Sequence, residues 1–339
     1  MRYLITGHTG FKGAWLSIWL QSLGHEVSGI SLDPLPGSLF ATANVSELLA
    51  NDFRLDIRDP LAIRDAVTKV SPDVVFHMAA QPLVRESYKD PRGTFETNAI
   101  GTLNILEAVS ATPSIKAHVV ITTDKVYRNV NQVAGYREFD PLGGDDPYSA
   151  SKAMADILTH SWVTSFGGPP TAIARAGNVI GGGDVSLGRL LPDLLDSFAA
   201  GVAPTLRYPE AVRPWQHVLD CLNGYVMISE KLIANESISE SLNIGPDQDS
   251  FVAVGEVANV ASKAWGSDAT WVHDKQDHPH EAGLLALDAT SAKNELNWHN
   301  KLKFQDAIEW TVDWQKRKIQ GESALQISID QIEKFTSIN

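Results

Sequence analysis

A strand-sized apolar run, Tyr3-Leu4-Ile5-Thr6, passes through Gly7-His8-Thr9-Gly10-Phe11-Lys12-Gly13 into an apolar-rich segment, Ala14 to Leu23. No other stretch constrains the fold as strongly. A glycine turn between a strand and a helix lets a pyrophosphate approach the backbone and sit at the helix N-terminus. The turn alone also reads as an ordinary tight βα connection. The segments that follow have to decide between the two.

Strand-like and helix-like segments alternate after the turn. Glu26 to Ser31 reads as a second strand ending near Asp33, and Phe53-Arg54-Leu55 as a third leading to Asp56. Asp59 predicts a helix cap, with Pro60 in the first turn and the helix running to Val70. Asp73 to Met78, Ala117 to Thr122 and Thr171 to Ala176 read as strands; Pro91 to Ala111 and Tyr148 to Phe166 read as long helices. This alternation predicts an α/β fold, a doubly wound parallel sheet covered by helices on both faces.

After Ala176 the rhythm breaks at Gly181-Gly182-Gly183 and at several prolines. Helices are expected at Gln216 to Leu232, Val252 to Ala264 and Phe304 to Lys316, with a strand at Leu242-Asn243-Ile244. The expected division is a dinucleotide-binding domain of residues 1–176 plus about 216–242, and a smaller, interleaved substrate-binding lobe of 177–215 plus 243–325. Residues 326–339 are expected to form a loose tail. Trp162, Trp310 and Trp314 fall in helical patterns and read as packing residues.

Composition excludes several classes. A net charge of −13 makes nucleic acid an unfavourable partner. The single cysteine, Cys221, rules out a disulfide framework or a cysteine metal site. No apolar run approaches the roughly 20 residues needed to span a bilayer. The first strand starts too early to leave room for a signal peptide, so the expectation is a cytoplasmic protein without a membrane partner.

Asp33 lies about 20 residues beyond the glycine turn, where a carboxylate can bind both hydroxyls of an adenosine ribose and repel a 2′-phosphate. That favours NAD over NADP, although Asp33 before Pro34 also reads as a solvated loop residue. Asp56-Ile57 supplies a polar group and an apolar wall for an adenine. Tyr148 and Lys152, four apart, share one helix face. An ammonium beside a phenol lowers the phenol's pKa, so the pair can exchange a proton with a sugar hydroxyl during hydride transfer. On spacing alone it reads equally as a surface tyrosine and lysine.

The GxxGxxG spacing together with Tyr148-Ser149-Ala150-Ser151-Lys152 resembles the extended branch of the short-chain dehydrogenase/reductase superfamily. Asn98-Ala99-Ile100-Gly101-Thr102 is similar to its buried helix-bending asparagine segment, and Met78-Ala79-Ala80-Gln81 to the loop beside the nicotinamide ribose. Thr122-Thr123-Asp124-Lys125 resembles the strand-end motif of the CDP-glucose 4,6-dehydratase family. So do QPLVRESY (81–88), GYRE (135–138), RAGNVIGGGD (175–184), RPWQHV (213–218) and HPHE (278–281), in the same order along most of the chain.

The resemblance implies a lyase with NAD as cofactor that converts CDP-glucose to a 4-keto-6-deoxy sugar; a 4-epimerase or a dehydratase of another nucleotide sugar is the alternative, and a non-catalytic NAD-binding protein is a more distant one. It implies that Tyr148 takes the C4 hydroxyl proton, that Thr123 bonds the C4 oxygen, that Asp124 is the acid at C6 and that Lys125 is the base at C5 or a proton shuttle. As a base, Lys125 needs a pKa brought below its free value of about 10.4 by burial or a second cation. The implied cofactor contacts are Gly7, Gly10, Phe11, Lys12, Gly13, Asp33, Asp56, Ile57, Ala79, Ala80, Gln81, Asn98, Thr122, Tyr148 and Lys152. On the substrate side are Thr123, Asn178, Arg189, Leu190, Arg213, Asn243 and His278, with the two arginines suited to hold the diphosphate. His278 and His280 lack a supporting ligand framework, so no metal is expected. The helices beginning near Pro91 and Tyr148 match those that pair subunits in the superfamily, which implies a homodimer.

Overall fold

The computed structural model describes residues 1–132, 134–266, 269–274 and 285–338. Its centre is a parallel seven-stranded sheet. The first six strands are β1 (Arg2–Thr6), β2 (Glu26–Ser31), β3 (Asn51–Arg54), β4 (Val74–His77), β5 (Ala117–Ile121) and β6 (Thr171–Ala176). Ser241–Ile244 adds the edge strand beside β6, giving the order Ser241–Ile244, β6, β5, β4, β1, β2, β3. The strand order reverses between β1 and β4, and a doubly wound sheet opens its ligand crevice at such a switch point. Strands β1, β4, β5 and β6 are buried almost throughout, because helices cover both faces.

The glycine turn is held by sterics. Gly7 has φ +78°, and a Cβ there would lie 2.8 Å from the Ala79 backbone. A Cβ on Gly13 would lie 2.2 Å from the Gly7 carbonyl oxygen. These two positions therefore have to be glycine for the helix Phe11–Ser22 to start so close to β1. Asp59 caps the helix Pro60–Val70 by accepting from Leu61 and Ala62 N–H, as its sequence predicts.

The long helix from Pro91 is interrupted at Glu96–Ile100 by a π turn and continues to Ser110. Asn98 is the reason the turn is stable. Its side-chain oxygen accepts from Gln81 N–H (2.8 Å), and its amide donates to the Gln81 carbonyl (3.1 Å) and Ser151 Oγ (2.9 Å). Such bulges recur at functional sites.

Two apolar clusters lie beside each other. The larger packs the helices Phe11–Ser22 and Val218–Ile233 on the sheet and reaches Trp298, Leu302 and Phe335. The smaller joins Leu191, Leu195 and Phe198 to Val257, Ala261 and Ile308. Helix Phe304–Ile319 serves both, with Trp310 and Trp314 in the first and Ala307 and Val312 in the second. Packing thus assigns Trp298 and Leu302 to the sheet side, whereas the expected boundary leaves 243–325 in the lobe.

The expected loose tail is a helix, Ala324–Ser337. Ile327, Ile332 and Phe335 are buried, Trp314 Nε1 donates to Ser328 Oγ (3.0 Å), and Phe335 meets Trp19 edge-on at 5.7 Å. An apolar stripe at helical spacing outweighs position near the end of a sequence. Trp162, unlike the other two helical tryptophans, is only partly covered and donates to Ser110 Oγ. No helix among the described residues is long and apolar enough to cross a membrane.

Candidate active site

The crevice opens above the C-terminal ends of β1, β2 and β4 and encloses about 340 Å³. Gly7, Gly10, Phe11, Lys12 and Gly13 form its floor, Asp33, Asp56 and Ile57 one end, and Ala79, Ala80 and Arg189 the other. The helix Phe11–Ser22 starts at Gly10 with no side-chain cap and no acidic residue in its first turn. Its first N–H groups and the positive end of its dipole are left for an anion. The Asp33 side chain is 90 % exposed at the rim, with Arg54 Nε 3.9 Å away. Asp56 is chelated by Arg58, whose guanidinium holds the carboxylate below its usual range. Ile57 presses against Gly101, as a wall residue should.

Lys12 points beneath this floor. Its ammonium donates to the Tyr225 hydroxyl (3.0 Å), and burial pulls its pKa down. Tyr225 and Cys221, one turn apart on the helix Val218–Ile233, are buried partners that sequence reasoning does not find. Nothing but their helical spacing marks them. His8 is likewise buried and bonds Asp52 (2.8 Å), bracing the turn against β3.

The chemistry-bearing residues gather at the C-terminal end of β5. Thr123 starts a short 3₁₀ turn, Asp124–Val126, and accepts from Lys125 N–H. Its hydroxyl donates to Asp124 Oδ1 (2.8 Å). Lys125 Nζ stands 3.6 Å from the same oxygen. Asp124 is 2 % exposed and Thr123 6 %. The helix Pro147–Phe166, capped by Asp146 at Ser149 N–H, brings Tyr148 to this group from its first turn.

Two electrostatic expectations change here. Burial raises the Tyr148 pKa; Lys125 is the foremost group opposing it, followed by the Thr123 side chain. Lys152 instead donates to the Ile121 carbonyl (2.8 Å), and burial with Lys12 nearby brings it down to about 7. The shared helix face is real, but the lysine turns to the β5 backbone. The base role asks for a lowered pKa at Lys125, yet Asp124 raises it despite burial and Arg213. A carboxylate at 3.6 Å outweighs both.

Of the substrate-side residues, Arg189 pairs with Asp184 (3.0 Å) and its charge is felt at Tyr148 and Lys12. Leu190 begins the helix Leu190–Ala199, half-buried against the smaller cluster. Arg213 lies on the short strand Val212–Pro214, close enough to oppose the charge on Lys125. Asn178 follows β6, half-buried. Asn243 does not face the crevice: it is fully buried, accepts from the Tyr127 hydroxyl (2.7 Å) and donates to the Tyr136 and Asp288 carbonyls. Thr122 similarly turns its hydroxyl inward to Asp156 (3.2 Å). Gln81 spends its side chain on Leu83 N–H and Thr94 Oγ1, shaping the loop after β4. His278 and His280 lie outside the described residues.

The doubly wound sheet, the glycine turn and the Tyr148–Lys152 helix define the short-chain dehydrogenase/reductase architecture. The chain belongs to the GDP-mannose 4,6 dehydratase family, whose model matches residues 4–311. A CDP-glucose 4,6-dehydratase from Salmonella typhimurium is 42% identical over 346 residues, covering 99% of this chain and 96% of that protein. Among solved structures, a UDP-glucose 4-epimerase from Thermus thermophilus in complex with NAD matches with TM-score 0.79 at 26% identity, over 93% of this chain and 99% of that one. A dTDP-glucose 4,6-dehydratase from Bacillus anthracis in complex with NAD shares the fold, with TM-score 0.79 at 24% identity over 96% and 99% of the two chains.

Proposed function

We propose that the chain holds NAD in the crevice and dehydrates a nucleotide-activated glucose, CDP-glucose, at C6. The observation that carries this reading is the Thr123–Asp124–Lys125 group at the end of β5, with Thr123 and Asp124 buried and the charge of Lys125 felt at Tyr148. A simple dehydrogenase or epimerase has no use for an extra acid and base there. The uncapped start of the helix Phe11–Ser22, and glycines that admit no Cβ, fit a pyrophosphate. Asp33 at the rim suits ribose hydroxyls. Held by the glycine turn and Asp33, NAD would supply reversible hydride chemistry for C4 and C6.

The chain's own residues handle the protons. Tyr148 accepts the C4 hydroxyl proton; burial raises its pKa, and Lys125 is the foremost group that opposes the rise and favours the phenolate. A C4 ketone then acidifies the C5 hydrogen. Lys125 removes it once the proton it shares with Asp124 has moved to the carboxylate, and Asp124 protonates the departing C6 hydroxyl. Arg189 and Arg213 frame the diphosphate. Incubation with CDP-, dTDP-, UDP- and GDP-glucose tests the reading, through the base-induced absorbance of a 4-keto-6-deoxy product. Product from CDP-glucose is expected; none from any of the four, with NAD bound, would refute it, and an epimer would replace it.

The same reading includes a homodimer. Met154, Ile157 and Phe166 on the helix Pro147–Phe166, and Ile100 and Tyr88 beside it, are exposed apolar side chains. Pairing these helices with those of a second copy would cover them. Ile157→Glu is expected to yield monomers by sedimentation.

A further inference from the structure

The loop after β4 forms one wall of the crevice through Met78, Ala79 and Ala80. It is tied at both ends by residues from elsewhere in the chain. At its start, the Met78 and Ala79 N–H groups both donate to Thr6 Oγ1, each at 3.1 Å. At its end, the Asn98 side chain holds the Gln81 N–H and carbonyl. Thr6 ends β1, and Asn98 lies in the π turn. His77 joins the two. Its Nδ1 stands 2.7 Å from Thr6 Oγ1 and its Nε2 2.9 Å from Thr102 Oγ1, whose hydroxyl donates to the Asn98 carbonyl at 2.7 Å.

The direction of each bond on this path is forced. Thr6 Oγ1 already accepts two N–H groups, which engages both its lone pairs, so its proton goes to His77 Nδ1. The Thr102 proton is spent on a carbonyl, so its oxygen accepts from His77 Nε2–H. The two neighbours thus select one neutral tautomer. Thr6, His77, Asn98 and Thr102 are each at most 1 % exposed, so the path is sheltered from bulk water. We infer that His77 is a positioning residue for the dinucleotide: by joining Thr6 to Thr102 it closes a one-way ring of hydrogen bonds that sets the crevice wall Met78–Ala80. Burial, with Lys152 and His118 nearby, disfavours the imidazolium, which would reverse the bond to Thr6. The wall has little latitude. A Cβ on Gly7, the residue after Thr6, would lie 2.8 Å from the Ala79 backbone, so the glycine turn and the wall already sit in contact. Release of Ala79 N–H by Thr6 would shift the wall against the turn suited to the pyrophosphate. This role, which rests on NAD occupying the crevice, is independent of which sugar is dehydrated.

Two readouts test the ring. In cofactor-free protein labelled with nitrogen-15 histidine, His77, picked out by its shift in Thr6→Ser, should show a protonated Nε2 and an unprotonated Nδ1 at pH 7. NAD affinity, measured by calorimetry, should fall about 10-fold in Thr6→Val and about 10-fold in Thr102→Val, whose hydroxyl bonds no atom of the loop. The double variant should also lose about 10-fold rather than about 100-fold, because both changes cut one path. Thr6→Ser and Thr102→Ser keep the hydroxyls and should bind NAD within about twofold of wild type. Losses that multiply in the double variant, wild-type affinity in Thr102→Val, or a His77 ring protonated at Nδ1 would each overturn the ring. Because the nitrogen spectrum is read on wild-type protein and a serine variant, it decides the matter even where a valine variant fails to fold. Wild-type protein that binds no NAD would overturn the role toward the dinucleotide together with the cofactor reading, while the nitrogen spectrum would still show the ring.

Discussion

Two polar clusters are built from the same short stretch of chain, Thr122 to Tyr127, and they are finished differently. On the interior side, Arg175 holds Asp156 with two bonds (2.8 and 2.7 Å) and also donates to the Tyr127 hydroxyl (2.8 Å) and the Glu138 carbonyl. Tyr127 donates to Asn243, and Glu138 accepts from Asn243 N–H and Ser291 Oγ. Arg175 and Asp156 are 3 % and 2 % exposed. On the other side, Lys125 is 35 % exposed and meets Asp124 at 3.6 Å, and among the described residues no hydrogen bond engages the Tyr148 hydroxyl. A polar cluster whose valences close on the protein is a brace. One whose valences stay open toward a cavity is equipped for chemistry.

The contrast can be broken by mutation. Tyr148→Phe and Asp124→Asn should each lower kcat by about 10²–10⁴-fold, with melting temperature close to wild type. A matching loss of stability would show that the crevice cluster is also a brace. Asp156→Ala should do the reverse, costing about 3–5 kcal/mol because it strands a buried guanidinium. Denaturant unfolding measures that cost, and kcat per folded molecule should stay near wild type. Tyr127→Phe removes two bonds from the brace and should cost about 1–3 kcal/mol on the same scale.

The smallest effect concerns a polar group that belongs to neither cluster. His118 on β5 is fully buried, neither ring nitrogen has a partner among the described residues, and its pKa is lowered to about 3. The unfolded chain binds this proton near pH 6.5, whereas the folded chain does not. Its penalty is therefore absent above that value and grows as pH falls from about 6.5 to about 3. His217, also lowered to about 3, adds to it. His118→Leu should leave stability at pH 8 little changed and flatten its decline between pH 6 and pH 4. An unchanged decline would place the acid sensitivity elsewhere.

The two clusters also differ in how far the amino-acid sequence discloses them. The glycine turn, the Asp59-Pro60 cap and the Thr123-Asp124-Lys125 and Tyr148/Lys152 spacings are local patterns; the structure puts the turn in the crevice and the two spacings at the end of β5 and the start of the helix Pro147–Phe166. The brace joins residues far apart in sequence. Alternation cannot assign Asn243, because a strand in a parallel sheet is buried on both faces and polar residues on either face look alike. GYRE and RAGNVIGGGD are legible only as family strings; the structure spends their Glu138 and Arg175 on the brace. Spacing puts Lys152 on the face of Tyr148 but carries no information about the Ile121 carbonyl that claims its ammonium. The helix Ala324–Ser337 is legible in its stripe of Ile327, Ile332 and Phe335, and only its position near the end argues for a tail.

That last helix packs directly on the helix that begins at the glycine turn, with Phe335 against Trp19. The rear wall of the cradle therefore arrives from the opposite end of the described sequence. Contacts so remote form late in folding, after the intervening chain has organised. A fragment stopping before Ala324 would leave Trp19 and its neighbours facing water and prone to aggregate. The cradle thus acts as a checkpoint on folding, because the helix that presents it is fully supported only after nearly the whole chain has come together.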